Sequence, residues 1–248
     1  MHRWQCLALG VWLASRGGVT ALGLVLAGAG GVIGAAIAAA GHAPVRVPLW
    51  TAQGVAWGAG VTVAFGGALR AFRRDRNEGV LTLARARGVT LATYAQARVG
   101  GLVLLLAAAT AVPTIVAGLA ATSFAHPALP ALKATASGLA YGLGFAVTLG
   151  PVAMATLGAR TKAGGYLGLL AVVVVPELLA PWTTKLLPRG WHELTSIPAA
   201  LEALATGFGG VDDAVHFARA LTGLAALVAA SLVVVAARMP DVHGRGEA

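Results

Sequence analysis

From Gly18 to Gly41 the chain runs through 24 residues, GVTALGLVLAGAGGVIGAAIAAAG, without one charged side chain. About 20 apolar residues wound into a helix cross the hydrocarbon core of a bilayer, and the helix satisfies its own backbone hydrogen bonds there. Five further runs repeat the pattern, so spans are expected at about 18–40, 48–69, 99–121, 131–157, 164–182 and 216–237. The fifth, YLGLLAVVVVPELLAPW, is the weakest, being short and carrying Pro176 and Glu177. Apolar residues make up 58% of the chain and charged residues 11%, against about 45–50% and about 25% in soluble domains. With a mean hydropathy of +0.80, a soluble domain and a disordered chain are both excluded. The single cysteine, Cys6, provides neither a disulfide framework nor a cysteine-rich metal site. Arg3 and Arg16 bracket only a short apolar stretch before the first full-length run, so a cleaved signal peptide is not expected. The expected fold is an all-α membrane protein, residues 1–248 forming one transmembrane domain.

Short cytoplasmic segments retain Lys and Arg. With six spans, one flank holds Arg3, Arg16, Arg70, Arg73, Arg74, Arg76, Arg85, Arg87, Arg98, Arg160, Lys162, Arg238 and Arg245. The other holds five bases and five acids. Both termini are therefore expected in the cytoplasm, in the inner membrane of a cell. This asymmetry accounts for a net charge of +9 without nucleic-acid binding, and it suits anionic lipid headgroups.

Three segments between spans carry pattern of their own. Residues 1–17, MHRWQCLALGVWLASRG, read as an interfacial helix, with Trp4 and Trp12 at headgroup level and Arg16 near its end. In 70–98, Asp75 followed by Glu78 suggests a capping box. Val80, Leu81, Leu83 and Ala84 give a short apolar face, and Arg85 and Arg87 close a helix that stops at Gly88. Thr90 is a second N-cap, leading into the third span. A loop that only fixed topology would not need that apolar stripe, so 70–98 is expected to be a docking surface. Between spans five and six, Ile197, Leu201 and Leu204 follow helical spacing. The expectation there is an outer-side helix anchored by Trp182 and Trp191 and ended by Gly207, Gly209 and Gly210.

The chain lacks G-x-x-x-x-G-K-[ST], H-E-x-x-H and G-x-S-x-G, so no nucleotide, zincin or serine-hydrolase chemistry is expected in it. Asp212, Asp213 and His216 could approach one metal ion, but a helix cap and an interfacial histidine explain them with less, and no metal is expected. Carriers that couple to ions place ionisable groups near the midplane. Here only Glu177 lies within a span, as a possible contact on a substrate path or as an acid snorkelling to the outer interface. The chain thus shows no energy-coupling device of its own. Small residues four apart recur at Gly30/Gly34, Gly54/Gly58, Gly138/Gly142 and Gly164/Gly168, a spacing that lets helices approach closely within a subunit or between two.

Residues 77–98, NEGVLTLARARGVTLATYAQAR, resemble the cytoplasmic segment after the second span of type-2 ABC exporter permeases. There a polar pair precedes Gly-Thr-Leu, a Leu-rich stretch, Pro-Val-Ser, a bulky apolar residue and a base that opens the third span. Glu78 lies in the polar pair, Gly79 and Leu81 match, and Leu83 falls in the Leu-rich stretch. Val89-Thr90 stand for Val-Ser, Tyr94 takes the bulky position and Arg98 the closing base. Val80 replaces Thr and Gly88 replaces Pro. The layout, an interfacial helix, six spans and an outer helical segment, is also similar to that family. The resemblance implies a second permease chain, identical or related, and two ATP-binding subunits that hold ATP and Mg. It implies docking through the helix containing Arg76, Glu78, Gly79, Leu81, Leu83, Arg85 and Arg87 and through the interfacial helix. An apolar path then suits lipid-like or amphipathic cargo. A non-transporting membrane anchor or gating subunit is the alternative of a different class.

Overall fold

The computed structural model describes residues 3–41, 45–158, 162–186, 192–209 and 214–238. Among them are twelve α-helical segments and two π-helical turns, and no strand. Six helical stretches among the described residues are long and apolar enough to cross a bilayer: Gly18–Ala39, Val47–Asn77, Leu91–Phe124, Leu129–Gly158, Gly164–Trp182 and Ala214–Arg238. The protein is a multi-pass, all-α membrane bundle. Its outer surface carries Val25, Val32, Leu167 and Leu178, each 68% exposed in the isolated chain. In water such a surface would drive aggregation; in a bilayer it meets acyl chains.

α1 (Arg3–Ser15) precedes the first span, α2 (Gly18–Ala39). The second span is α3 (Val47–Val55), a π turn (Ala56–Gly60) and α4 (Val61–Ala68). Two short helices, α5 (Ala71–Asn77) and α6 (Val80–Ala86), lead to α7 (Leu91–Phe124). α8 (Leu129–Ala153) ends in a second π turn (Met154–Gly158). α9 (Lys162–Leu186), α10 (His192–Thr195), α11 (Ile197–Phe208) and α12 (Ala214–Arg238) complete the order.

The long helices α7 and α8 form the axis, with α2 and α3 packed on α7, and α11 and α12 on α8. In lipid, helices associate by close contact and interhelical hydrogen bonds rather than by expelling water, and this axis has both. Thr110 Oγ1 lies 3.0 Å from the Leu106 carbonyl of its own helix and 3.1 Å from the Gly142 carbonyl of α8. Trp57 Nε1 donates to Tyr141 Oη at 2.6 Å, tying the first π turn to α8. The small-residue pairs divide. Gly30, Gly34, Gly138 and Gly142 sit where a Cβ would meet a neighbouring helix, whereas Gly54 and Gly58 face open space.

The third span differs most from expectation. At 34 residues, α7 starts eight positions before the expected span, and its first two turns stand at the basic end of the bundle as a post. α1 packs along this post. Gly10 and Gly101 meet backbone to backbone, so a Cβ on either would collide with the other helix's main chain. That contact draws α1 onto the bundle.

Candidate functional site

The loop after the second span is built from three corners. Leu69 leaves the helical region, and Arg70 takes a left-handed conformation (φ 54°, ψ 27°), its N–H donating to the Leu157 carbonyl at 3.0 Å. A side chain in this region is strained by about 1–2 kcal/mol, and the bond to the second π turn holds it there. The second and third corners, Gly79 (φ 71°) and Gly88 (φ 74°), are positions glycine adopts without that strain. Gly88 therefore ends α6 as its sequence suggests, and Thr90 caps α7, its Oγ1 accepting from Thr93 N at 3.2 Å.

Asp75 does not open a helix. It lies inside α5, fully buried, and the N-cap of α6 is Gly79, which makes no side-chain cap bond. The capping-box reading of Asp75 and Glu78 is thus replaced by a different role for each. Asp75 Oδ2 accepts from Tyr94 Oη at 2.6 Å and stands 2.8 Å from Arg98 Nε, both on the α7 post. Side-chain exposure is 0% for Asp75 and 1% for Arg98. The Nε approach is an ion contact rather than an aligned hydrogen bond. Asp75 Oδ1 and Arg98 Nη1 and Nη2 are buried without a protein hydrogen-bond partner.

Glu78 instead pairs with Arg16 at 2.9 Å, and the Arg16 guanidinium lies 4.6 Å from the centre of the Trp12 ring. Arg74 Nη2 donates to the Leu13 carbonyl at 3.0 Å. The end of α1, the loop helix α5 and the root of α7 are therefore linked in one polar assembly. Trp12 of α1 and Arg16 just after it take part, while Trp4 projects outward, 80% exposed.

The loop's apolar residues point two ways. Leu81 and Ala84 are buried toward the bundle, and Leu83 is 63% exposed. Arg85 and Arg87 are exposed beside Leu83, Gly79 and Arg76 are half-buried, and Glu78 is exposed at the α5–α6 turn. Leu83, Arg85 and Arg87 thus form an outward apolar-and-basic rim, while Leu81 fastens it from below.

Glu177 lies at the opposite end. Its Oε1 accepts a short hydrogen bond from Ser196 Oγ, and the same hydroxyl caps α11 by accepting from Ala199 N at 3.1 Å. Glu177 thereby fastens α9 to the helix between spans five and six. That helix is α11, ending at Phe208 just after Gly207. Trp182 is exposed near the end of α9, and Trp191, Asp212 and Asp213 lie outside the described residues. Among the described residues no three His, Cys, Asp or Glu side chains gather as a metal site.

The buried Asp75–Tyr94–Arg98 group was not anticipated as a unit. One signal for it was present: Tyr94 and Arg98 are four apart, on one helix face, and an arginine at the mouth of an apolar run needs a counter-charge. No family model matches the chain, nor does any curated protein or solved structure.

Proposed function

We propose that the chain is the permease subunit of an ATP-driven type-2 ABC exporter, lying in the cytoplasmic membrane with both termini inside. In this reading ATP and Mg belong to two separate ATP-binding subunits, and the chain itself is not an enzyme. A second permease chain, identical or related, completes the path, and the cargo is lipid-like or amphipathic. The observation that carries the reading is the exposed rim of Leu83, Arg85 and Arg87 on a loop fixed to both α1 and the α7 post. A motor pushing on a mobile loop would move only the loop. Pushing here transmits force through the Asp75–Arg98 contact to a helix of 34 residues.

The test is copurification of the tagged full-length chain from its native membranes, with vanadate-sensitive ATP hydrolysis as readout. Wild type is expected to bring down a P-loop ATPase, and Leu83→Asp to lose it while the chain remains folded. Association unchanged by Leu83→Asp would overturn the docking assignment.

A non-transporting anchor or gating subunit is the second reading. It is favoured by Glu177 being engaged with Ser196, which takes the one ionisable side chain expected within a span away from a substrate path. Reconstitution with the copurified ATPase separates the two: ATP-dependent movement of a fluorescent lipid supports the exporter, and ATP hydrolysis with no movement of amphipathic cargo supports the anchor.

A further inference from the structure

Between the start of α2, the face of α4 and the first turns of α9 lies a cleft of about 660 Å³. Its end nearest the basic loops is polar. Gly17 and Gly18 line it, and the N-cap Gly17 provides no side-chain bond to the first-turn amides of α2. Arg74 lines the same end, and its Nε is buried without a partner although Nη2 is held by Leu13. Thr20 is wholly buried, and its Oγ1 also lacks a partner. This hydroxyl lies against Gly17 and Gly66, both of which line the cleft; a Cβ on Gly17 would stand 3.4 Å from it.

The other end is apolar. Val19, Val61, Phe65 and Leu69 form its walls, and Tyr166 of α9 stacks on Phe65 with ring centres 5.8 Å apart. Val19 and Tyr166 are exposed, so the cleft opens sideways toward the bilayer. The molecule that fits carries an anion at one end and hydrocarbon at the other. Free helix N–H groups and an arginine recognise an anionic oxygen, and the only acid on α5, Asp75, is committed to Arg98. An inorganic anion would leave the apolar walls unused.

We propose that this cleft binds an anionic phospholipid of the adjoining leaflet, its phosphate on Arg74 and the first-turn amides of α2, and an acyl chain along Val61 and Phe65. The lipid then fills the gap between α9 and the α2–α4 pair. The site rests on this geometry and not on the docking of an ATPase, so either reading can fail without the other.

The full-length chain in mild detergent, titrated with phosphatidylglycerol or with phosphatidylcholine of the same acyl chains, tests it by native mass spectrometry. One phosphatidylglycerol is expected to be retained at about fivefold lower concentration than phosphatidylcholine, the preference one interfacial arginine confers. Arg74→Gln should erase that preference, and Arg73→Gln, on an exposed neighbour, should leave it intact. Gly18→Trp should block retention by filling the cleft mouth, since a Cβ at Gly18 meets nothing within 4 Å. It decides the matter if Arg74→Gln does not fold. Inorganic phosphate should not displace the lipid. Equal retention of both lipids, equal losses in Arg73→Gln and Arg74→Gln, undiminished binding in Gly18→Trp, or displacement by phosphate would each overturn the proposal.

Discussion

Removing Asp75 strands a cation. At the observed 2.8 Å, the attraction between Asp75 and Arg98 is about 6 kcal/mol for an effective dielectric of about 20, much of it offset by the desolvation of both groups. Breaking one side of a buried pair costs about 3–5 kcal/mol, whereas replacing both partners with apolar groups is often close to neutral. Asp75→Ala and Arg98→Met should therefore each destabilise the chain by about 3–5 kcal/mol. The double variant should be more stable than either single one. Its remaining cost is the Tyr94 hydroxyl, which loses its acceptor, about 1–3 kcal/mol. The assay is reversible unfolding by SDS in mixed micelles, followed by tryptophan fluorescence, with the four proteins forming a double-mutant cycle. A coupling of about 3 kcal/mol or more is expected. Additive single effects would show that the two charges do not sense each other in the folded protein, and that α5 is not fastened to the α7 post by this contact.

The two leucines of α6 should respond in opposite ways. Leu83→Asp should change stability by no more than about 0.5 kcal/mol, as exposed substitutions do, while Leu81→Asp buries an unpaired carboxylate and should cost several kcal/mol; thermal midpoints in detergent compare them. At the other end, Ser196→Ala should cost about 1 kcal/mol through loss of the α11 cap, seen as faster hydrogen exchange at Ala199 and Ala200, and Glu177→Gln should have the smaller effect because the cap hydroxyl remains. Gly54→Ala and Gly58→Ala should be tolerated, since added methyl groups there meet nothing within 4 Å. Gly101→Ala should sharply lower the yield of folded protein, because its methyl group would collide with the main chain at Gly10.

The spans were legible in the sequence because hydropathy over about 20 residues is a local property, and the bilayer acts on it directly. Even the weakest run, with Pro176 and Glu177, forms the helix Lys162–Leu186. The stop at Gly88 and the cap at Thr90 were readable in the same way, since backbone strain and capping involve only a few consecutive residues. The corner at Gly79, which divides the single helix expected from Asp75 to Arg87 into α5 and α6, was not. Asp75 shows where this stops. Its local context, followed by Glu78, suggests a helix start, but a carboxylate beside an arginine 23 positions later has a stronger claim on it, and that proximity exists only after α5 folds back on α7. Leu81 and Leu83 likewise belong to one apolar stripe in sequence, and the underlying bundle decides which is covered.

The amino-acid order alone determined a six-span membrane protein with its basic loops gathered on one flank, because hydrophobic length and charge are summed along the chain. Tertiary structure decided that α1, the 71–86 loop and the root of α7 are joined by Arg74, Arg16–Glu78 and Asp75–Arg98, and that Glu177 clasps Ser196. These are pairings between distant charges and polar groups. Their partners are chosen by distance and burial, and neither quantity exists until the helices have packed.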